Sequence, residues 1–299
     1  MTSGKQTYRH NAVRFVLINQ SLKGLGQIML QDNALTGILF LVGVLIGSIN
    51  MGIAVILSVC VATFAAKLFK FETSYISKGL YGFNAALVGA ALILFCKPTV
   101  IIWCCIVIGA IISTLIQHFF ITSKITVFTL SFVLVTWAIL LMINLFLPEL
   151  IIASSSANAY HEIDFGFAFR GYGQVIFQDS LLAGVLFFVA VFINKPLAAL
   201  YGLAGSVIAV LVSHPFSIPF ENVNLGLVSY NAVLCAITFA GNKIKDGIWV
   251  LFSVILTTII SQFMTILSFP QLTFPFVAAA FMTLILKNNI RLCDEKISN

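Results

Sequence analysis

Gly24-Leu25-Gly26-Gln27-Ile28-Met29-Leu30-Gln31-Asp32 returns later in the chain as Gly171-Tyr172-Gly173-Gln174-Val175-Ile176-Phe177-Gln178-Asp179, at an offset of 147 residues. The offset persists without a gap. Gly37 falls on Gly184, Gly79-Leu80-Tyr81-Gly82-Phe83-Asn84-Ala85 falls on Gly226-Leu227-Val228-Ser229-Tyr230-Asn231-Ala232, and Leu87 falls on Leu234. Apolar residues match by chance wherever they are abundant, but paired Gln, Asp, Asn and Gly at one constant spacing do not. The chain is therefore read as two copies of one unit.

Those copies sit in a sequence that is 60% hydrophobic and 9% charged, with a mean hydropathy of +1.08. A fold dissolved in water would have too little polar surface to cover itself, so lipid is the solvent. The uninterrupted apolar runs, such as Ile125–Leu147, are apolar on every face, which fits spanning helices and not the alternating strands of a barrel. The net charge of +6 comes from residues at segment ends, Lys5, Arg9 and Arg14 before the first and Lys287, Arg291 and Lys296 after the last. This is the pattern of a topology signal, and no nucleic-acid partner is expected. The basic N-terminus continues into an interrupted apolar stretch with no small-residue cleavage site, so no cleaved leader is expected. Cys60, Cys96, Cys104, Cys105, Cys235 and Cys293 lie mostly within apolar segments without metal-site or disulfide spacing, and are read as small buried residues. No metal or cofactor is expected.

Polar breaks divide the chain into apolar segments near 12–31, 34–48, 51–69, 79–95, 99–117 and 125–147, and again near 165–178, 180–194, 196–213, 226–241, 247–268 and 273–286. The predicted organisation is a first membrane repeat over 1–147, a linker over 148–164 and a second repeat over 165–299. Segments 79–95 and 226–241 carry Gly, Asn and an aromatic before a short apolar run, which suits a re-entrant half-helix. The fold class is thus an all-α integral membrane protein, with five transmembrane helices and one half-helix per repeat. An odd number of crossings inverts the second repeat relative to the first. Basic termini and a linker holding Glu149, Glu162 and Asp164 put both termini in the cytoplasm and the linker outside. The loop with Lys67, Lys70 and Lys78 falls outside in this count, against the positive-inside tendency. Short termini point to a bacterial inner membrane.

The residues repeated at depth are amides and aromatics. A buried amide either bonds another helix or faces a wet path, because leaving it unpaired costs several kcal/mol. Gln27 and Gln174, flanked by glycines that permit close approach, are read as path-lining, while Asn84 and Asn231 are read as caps that tie a half-helix to a loop. Asp32 and Asp179, each followed by a new apolar run, are read as helix caps. A further pairing, Phe128-Thr129-Leu130-Ser131-Phe132 with Leu272-Thr273-Phe274-Pro275-Phe276, has an offset of 144. Each threonine is either a plain helix start or a hydroxyl set at the positive end of a helix, where a carbonyl oxygen is favoured. No intramembrane Lys, Arg or Glu pair is present, and His118 and His214 do not match across the repeat, which argues against ion-coupled pumping. Nothing offers the paired acids, metal cluster or activated nucleophile of an enzyme. A passive pathway for a small neutral polar solute remains, with a pore-less scaffold as the contrary case.

Gly26-Gln27-Ile28-Met29-Leu30-Gln31-Asp32-Asn33, Gly79 to Ala85, and Phe269-Pro270-Gln271-Leu272-Thr273-Phe274-Pro275-Phe276 resemble the signatures of urea transporters, over nearly the whole chain. The third motif departs from the family's Leu-Pro-x-x-Thr-aromatic-Pro-Phe only in its first residue. The resemblance implies a homotrimer in which each protomer has its own pore, downhill channel-like transport, and ten crossings with two re-entrant helices. It assigns the filter to Gln27, Leu30, Phe83, Leu87 and Thr129, and in the second repeat to Gln174, Phe177, Tyr230, Leu234 and Thr273. Urea is planar and uncharged, so aromatic walls select its shape and a row of oxygens accepts its N–H groups one after another. Leu30 and Tyr230 stand where the family usually has Phe, and Ser131 replaces a proline. These differences leave another small amide or ammonia as the alternative solute.

Overall fold

The computed structural model describes residues 15–152, 162–267 and 269–297. Lys5, Arg9 and Arg14, the N-terminal stretch in which no cleaved leader is expected, and the middle of the linker lie outside the described residues.

Helix α1 covers 15–26 and tightens into a 3-10 turn, Gln27–Met29. Then follow α2 (Ala34–Gly47), α3 (Ile49–Leu68), α4 (Thr73–Ser77), α5 (Gly82–Phe95), α6 (Val100–Thr122) and α7 (Leu130–Phe146). The second half holds α8 (Phe167–Gln174), α9 (Leu181–Asn194), α10 (Pro196–Ser213), α11 (Phe220–Asn224), α12 (Tyr230–Phe239), α13 (Ile244–Ile266) and α14 (Phe274–Ile297). Among the described residues the only β-type pairing is one antiparallel bridge, Cys96 with Ile151. Among the described residues, four helices are long and apolar enough to cross a bilayer: α3, α6, α10 with its 3-10 extension to Phe216, and α13. A fifth span results if the stretch Phe15–Met29 and α2, bent by 76°, are counted together.

Two apolar runs prove to be broken. The run read over 12–31 stops being α-helical at residue 26, and the run read over 125–147 becomes helix only at Leu130. Leu30 (φ 61°) and Phe128 (φ 49°) are left-handed, a conformation that ends a helix and that hydrophobicity alone does not report. Six of the seven described non-glycine residues with positive φ form three pairs: Leu30 with Phe177 and Lys70 with Ser217 at the 147 offset, and Phe128 with Leu272 at the 144 offset. The two positive-φ glycines, Gly79 (φ 74°) and Gly226 (φ 77°), form a fourth. A Cβ at either would lie 2.5 Å from a backbone carbon, of Lys23 or Arg170 respectively, so these turns need glycine for conformation and for space.

The chain divides into two compact units. One contains Met1–Lys124 and Leu134–Ile152; the other contains Ile125–Val133 and Ala153–Asn299. In the first, α5 packs against α3 and α6, and every residue from Gly82 to Ile93 is buried. In the second, α12 packs against α8, α10, α13 and α14, and nine of its ten residues are buried. At 1.5 Å per residue α5 is about 21 Å long and α12 about 15 Å, short of the roughly 30 Å hydrocarbon core. A helix so short, and apolar on all sides, is stable only where protein surrounds it.

The aspartate caps expected at Asp32 and Asp179 are corrected by one residue. Asn33 caps α2, its Oδ1 accepting from the N–H groups of Leu35 (2.8 Å) and Thr36 (3.2 Å), and Ser180 caps α9 by accepting from Ala183 (3.2 Å). Asp32 instead pairs with Lys23 at 2.8 Å. Either neighbour can cap, and the one whose backbone is extended just before the first helical residue does so.

Candidate functional site

In the first unit, Gln27 opens the 3-10 turn and its Nε2 donates to the carbonyl of Lys78 at 2.8 Å. A carbonyl only accepts, so this bond fixes which end of the amide is nitrogen and leaves Oε1 as an acceptor. Leu30, half-buried, follows in the left-handed conformation whose N–H bonds back to Gln27 O. Phe83 is 7% exposed in the first turn of α5, and Leu87, one turn on, is fully buried. Asn84 was expected to tie its helix to a loop. Its Nδ2 donates to Gln117 Oε1 of α6 at 3.0 Å, a helix-to-helix bond. Gln117 lay outside the sequence reading, because a lone Gln near the end of an apolar segment carries no repeat partner.

In the second unit, Gln174 is half-buried at the end of α8, and Phe177 is left-handed like Leu30, its ring 6.3 Å from that of Phe132. The loop before α14 is held from α12. Tyr230 OH donates to Leu272 O at 2.5 Å, Asn231 Nδ2 donates to the same oxygen at 3.3 Å, and the Phe276 N–H donates to Asn231 Oδ1 at 3.4 Å. Asn231 thus does tie half-helix to loop. Leu272 O, with both lone pairs used, is a structural hub that its residue type could not have announced. Leu234 is fully buried one turn after Tyr230.

The segment Ile125–Val133, which belongs to this second unit, brings Thr129 to Thr273 with their Oγ1 atoms 2.6 Å apart. The ring of Phe128, next to Thr129, lies 5.0 Å from that of Phe276, in the first turn of α14. Each threonine immediately precedes a helix, α7 or α14, and its carbonyl accepts the first intrahelical N–H, from Val133 or Val277. Both are 2% exposed. Two hydroxyls sharing one hydrogen bond retain one donor and three acceptor lone pairs, at the ends of helices whose dipoles are positive there. Such a pair can receive N–H groups and also donate to a carbonyl.

Residues 18–288 match the sequence family described as Urea transporter. The chain belongs to the urea transporter family. Curated relatives include "Urea transporter 1" of Ovis aries, 27% identical over 290 residues that cover 89% of this chain and 76% of the relative. "Urea transporter 1" of Mus musculus is 25% identical over 294 residues, with the same coverage, and that of Rattus norvegicus is 27% identical over 240 residues covering 74% and 62%. Family membership gives the paired positions a common context. Of the ten residues assigned from the urea transporter resemblance, Thr129 and Thr273 meet directly, Tyr230 is anchored to the loop carrying Thr273, and Gln27 is anchored to the loop before α5.

Proposed function

We propose that this protein conducts urea passively across the membrane, as a channel, along a narrow path lined by aromatic, amide and hydroxyl groups. The lining is Gln27, Leu30, Phe83 and Leu87 in the first unit, and Thr129, Gln174, Phe177, Tyr230, Leu234 and Thr273 in the second. The observation that carries the reading is the Thr129–Thr273 hydroxyl pair, buried at two helix starts in a chain of the urea transporter family. Urea presents N–H groups to Gln27 Oε1 and to the threonine oxygens in turn, exchanging each water bond for one of similar strength, so no single station holds it too tightly to leave. The solute has no charge, and the lining carries none.

The architecture proposed with it is two membrane repeats of opposite orientation, over 1–147 and 165–299 with an external linker over 148–164. Each repeat has five crossings and one re-entrant half-helix, α5 or α12, and both termini are cytoplasmic. The matching left-handed positions at the two constant offsets support the repeat. We also propose a homotrimer in a bacterial inner membrane, each protomer conducting independently.

Stopped-flow urea flux into proteoliposomes tests this. Rapid urea entry that drops about tenfold or more in Gln27→Ala and Gln174→Ala is expected, an amide bond to the passing solute contributing about 1–1.5 kcal/mol at the barrier. Urea entry no faster than into empty liposomes sinks the assignment, and methylammonium entry in its place selects ammonia as the solute.

A further inference from the structure

The start of α13 and the outer part of α14 enclose a groove of about 560 Å³ in the second unit, lined by Lys243, Lys245, Asp246, Ile248, Trp249, Lys287 and Ile290. It contains none of the path-lining residues assigned above. Among the described residues, its lining holds three lysines and one carboxylate. That carboxylate is already engaged, Asp246 Oδ2 accepting from the Lys243 N–H at 3.1 Å and Oδ1 lying 3.5 Å from Lys287 Nζ. Lysines outnumber carboxylates in this described lining, which favours an anion over a cation there.

Its floor has the opposite character. Ile248 is 61% exposed and Ile290 51% exposed, and Trp249 lies beside them, its ring 6.3 Å from that of Phe252. Apolar surface below, an indole at the boundary and amines above reproduce the layering of a bilayer interface: acyl chain, glycerol level, headgroup. A free phosphate uses only the upper part of such a groove, whereas a phospholipid uses all of it.

We propose that this groove is a binding site for one anionic phospholipid, its phosphate and acidic headgroup between Lys243, Lys245 and Lys287 and an acyl chain along Ile248, Trp249 and Ile290. The site rests only on the chain's lying in a membrane and is independent of which solute crosses. An anionic lipid held there ties the α13 start to α14, two helices that otherwise meet at this end through the Asp246–Lys287 pair.

Trp249 is a built-in reporter. In a Trp103→Phe, Trp137→Phe background, its fluorescence is quenched by brominated lipid, and competition between brominated phosphatidylglycerol and brominated phosphatidylcholine gives their relative affinity. Phosphatidylglycerol is expected to be favoured at least fivefold. The preference falls to near parity in Lys243→Gln, Lys287→Gln, each lysine contributing about fivefold, and survives in the control Lys97→Gln. Inorganic phosphate leaves the quenching unchanged. Equal quenching by both lipids in the parent protein overturns the proposal, and so does a preference retained in the double lysine variant. Displacement of phosphatidylglycerol by phosphate alone reduces the groove to a free-anion site and overturns the lipid assignment.

Discussion

Tyr230 differs from the phenylalanine common at its position by one oxygen, and that oxygen is committed to Leu272 O at 2.5 Å. Its proton points at the backbone, so the hydroxyl acts as a fastener for the Thr273 loop. Tyr230→Phe is expected to lower stability by about 1 kcal/mol, seen as a reduced melting temperature in detergent, while the ratio of urea to methylammonium flux stays as in the parent. Thr273→Val should do the reverse. It keeps the side chain's shape and the carbonyl that starts α14, removes the Oγ1 partner of Thr129, and is expected to slow urea flux about tenfold at a stability cost of about 1–2 kcal/mol. The sequence could nominate Thr129 and Thr273 because each lies in a repeated motif. It could not reveal that Leu272 O serves two donors, or that Gln117 of α6 accepts from Asn84, since partners are chosen by the surrounding backbone.

At the scale of elements, capping decides where helices begin. Asn33 Oδ1 satisfies two N–H groups of α2, whereas Asp32 forms a partly exposed pair with Lys23, its side chain 43% exposed. Asn33→Ala should cost about 1 kcal/mol and Asp32→Ala less than half of that, because an exposed ion pair is screened while a cap replaces bonds the helix end lacks. Thermal unfolding of the two variants side by side checks the order, and a larger loss for Asp32→Ala would reverse the assignment of the cap. Segment existence was legible from hydrophobic runs, down to the two short helices α5 and α12. The breaks at Leu30 and Phe128 were not, because a leucine or phenylalanine in a left-handed turn is as apolar as one in a helix. The five-residue helices α4 and α11 are too short to leave a periodic trace.

For the whole molecule, the composition pointed to a helical membrane protein, and the 147-residue offset to a chain read as two copies of one unit. The offset did not reveal that Ile125–Val133, encoded before the linker, belongs with the unit encoded after it. That exchange matters for synthesis. When a ribosome has delivered the first 147 residues, Thr129 has been made, but Thr273 and the rest of its unit have not, so the early half must wait with Phe128 and Phe132 short of their final neighbours. A gene cut within 148–164 and expressed as two polypeptides is therefore expected to give urea flux only when both pieces are made together, and co-purification of the pieces on a tag carried by one measures their association. A cut moved to the bond between Ser123 and Lys124, ahead of the exchanged segment, would leave that segment on the same polypeptide as its own unit. The helix start at Thr129 is thus finished only by chain made more than a hundred residues later, and a product truncated in the linker carries Thr129 without its Thr273 partner.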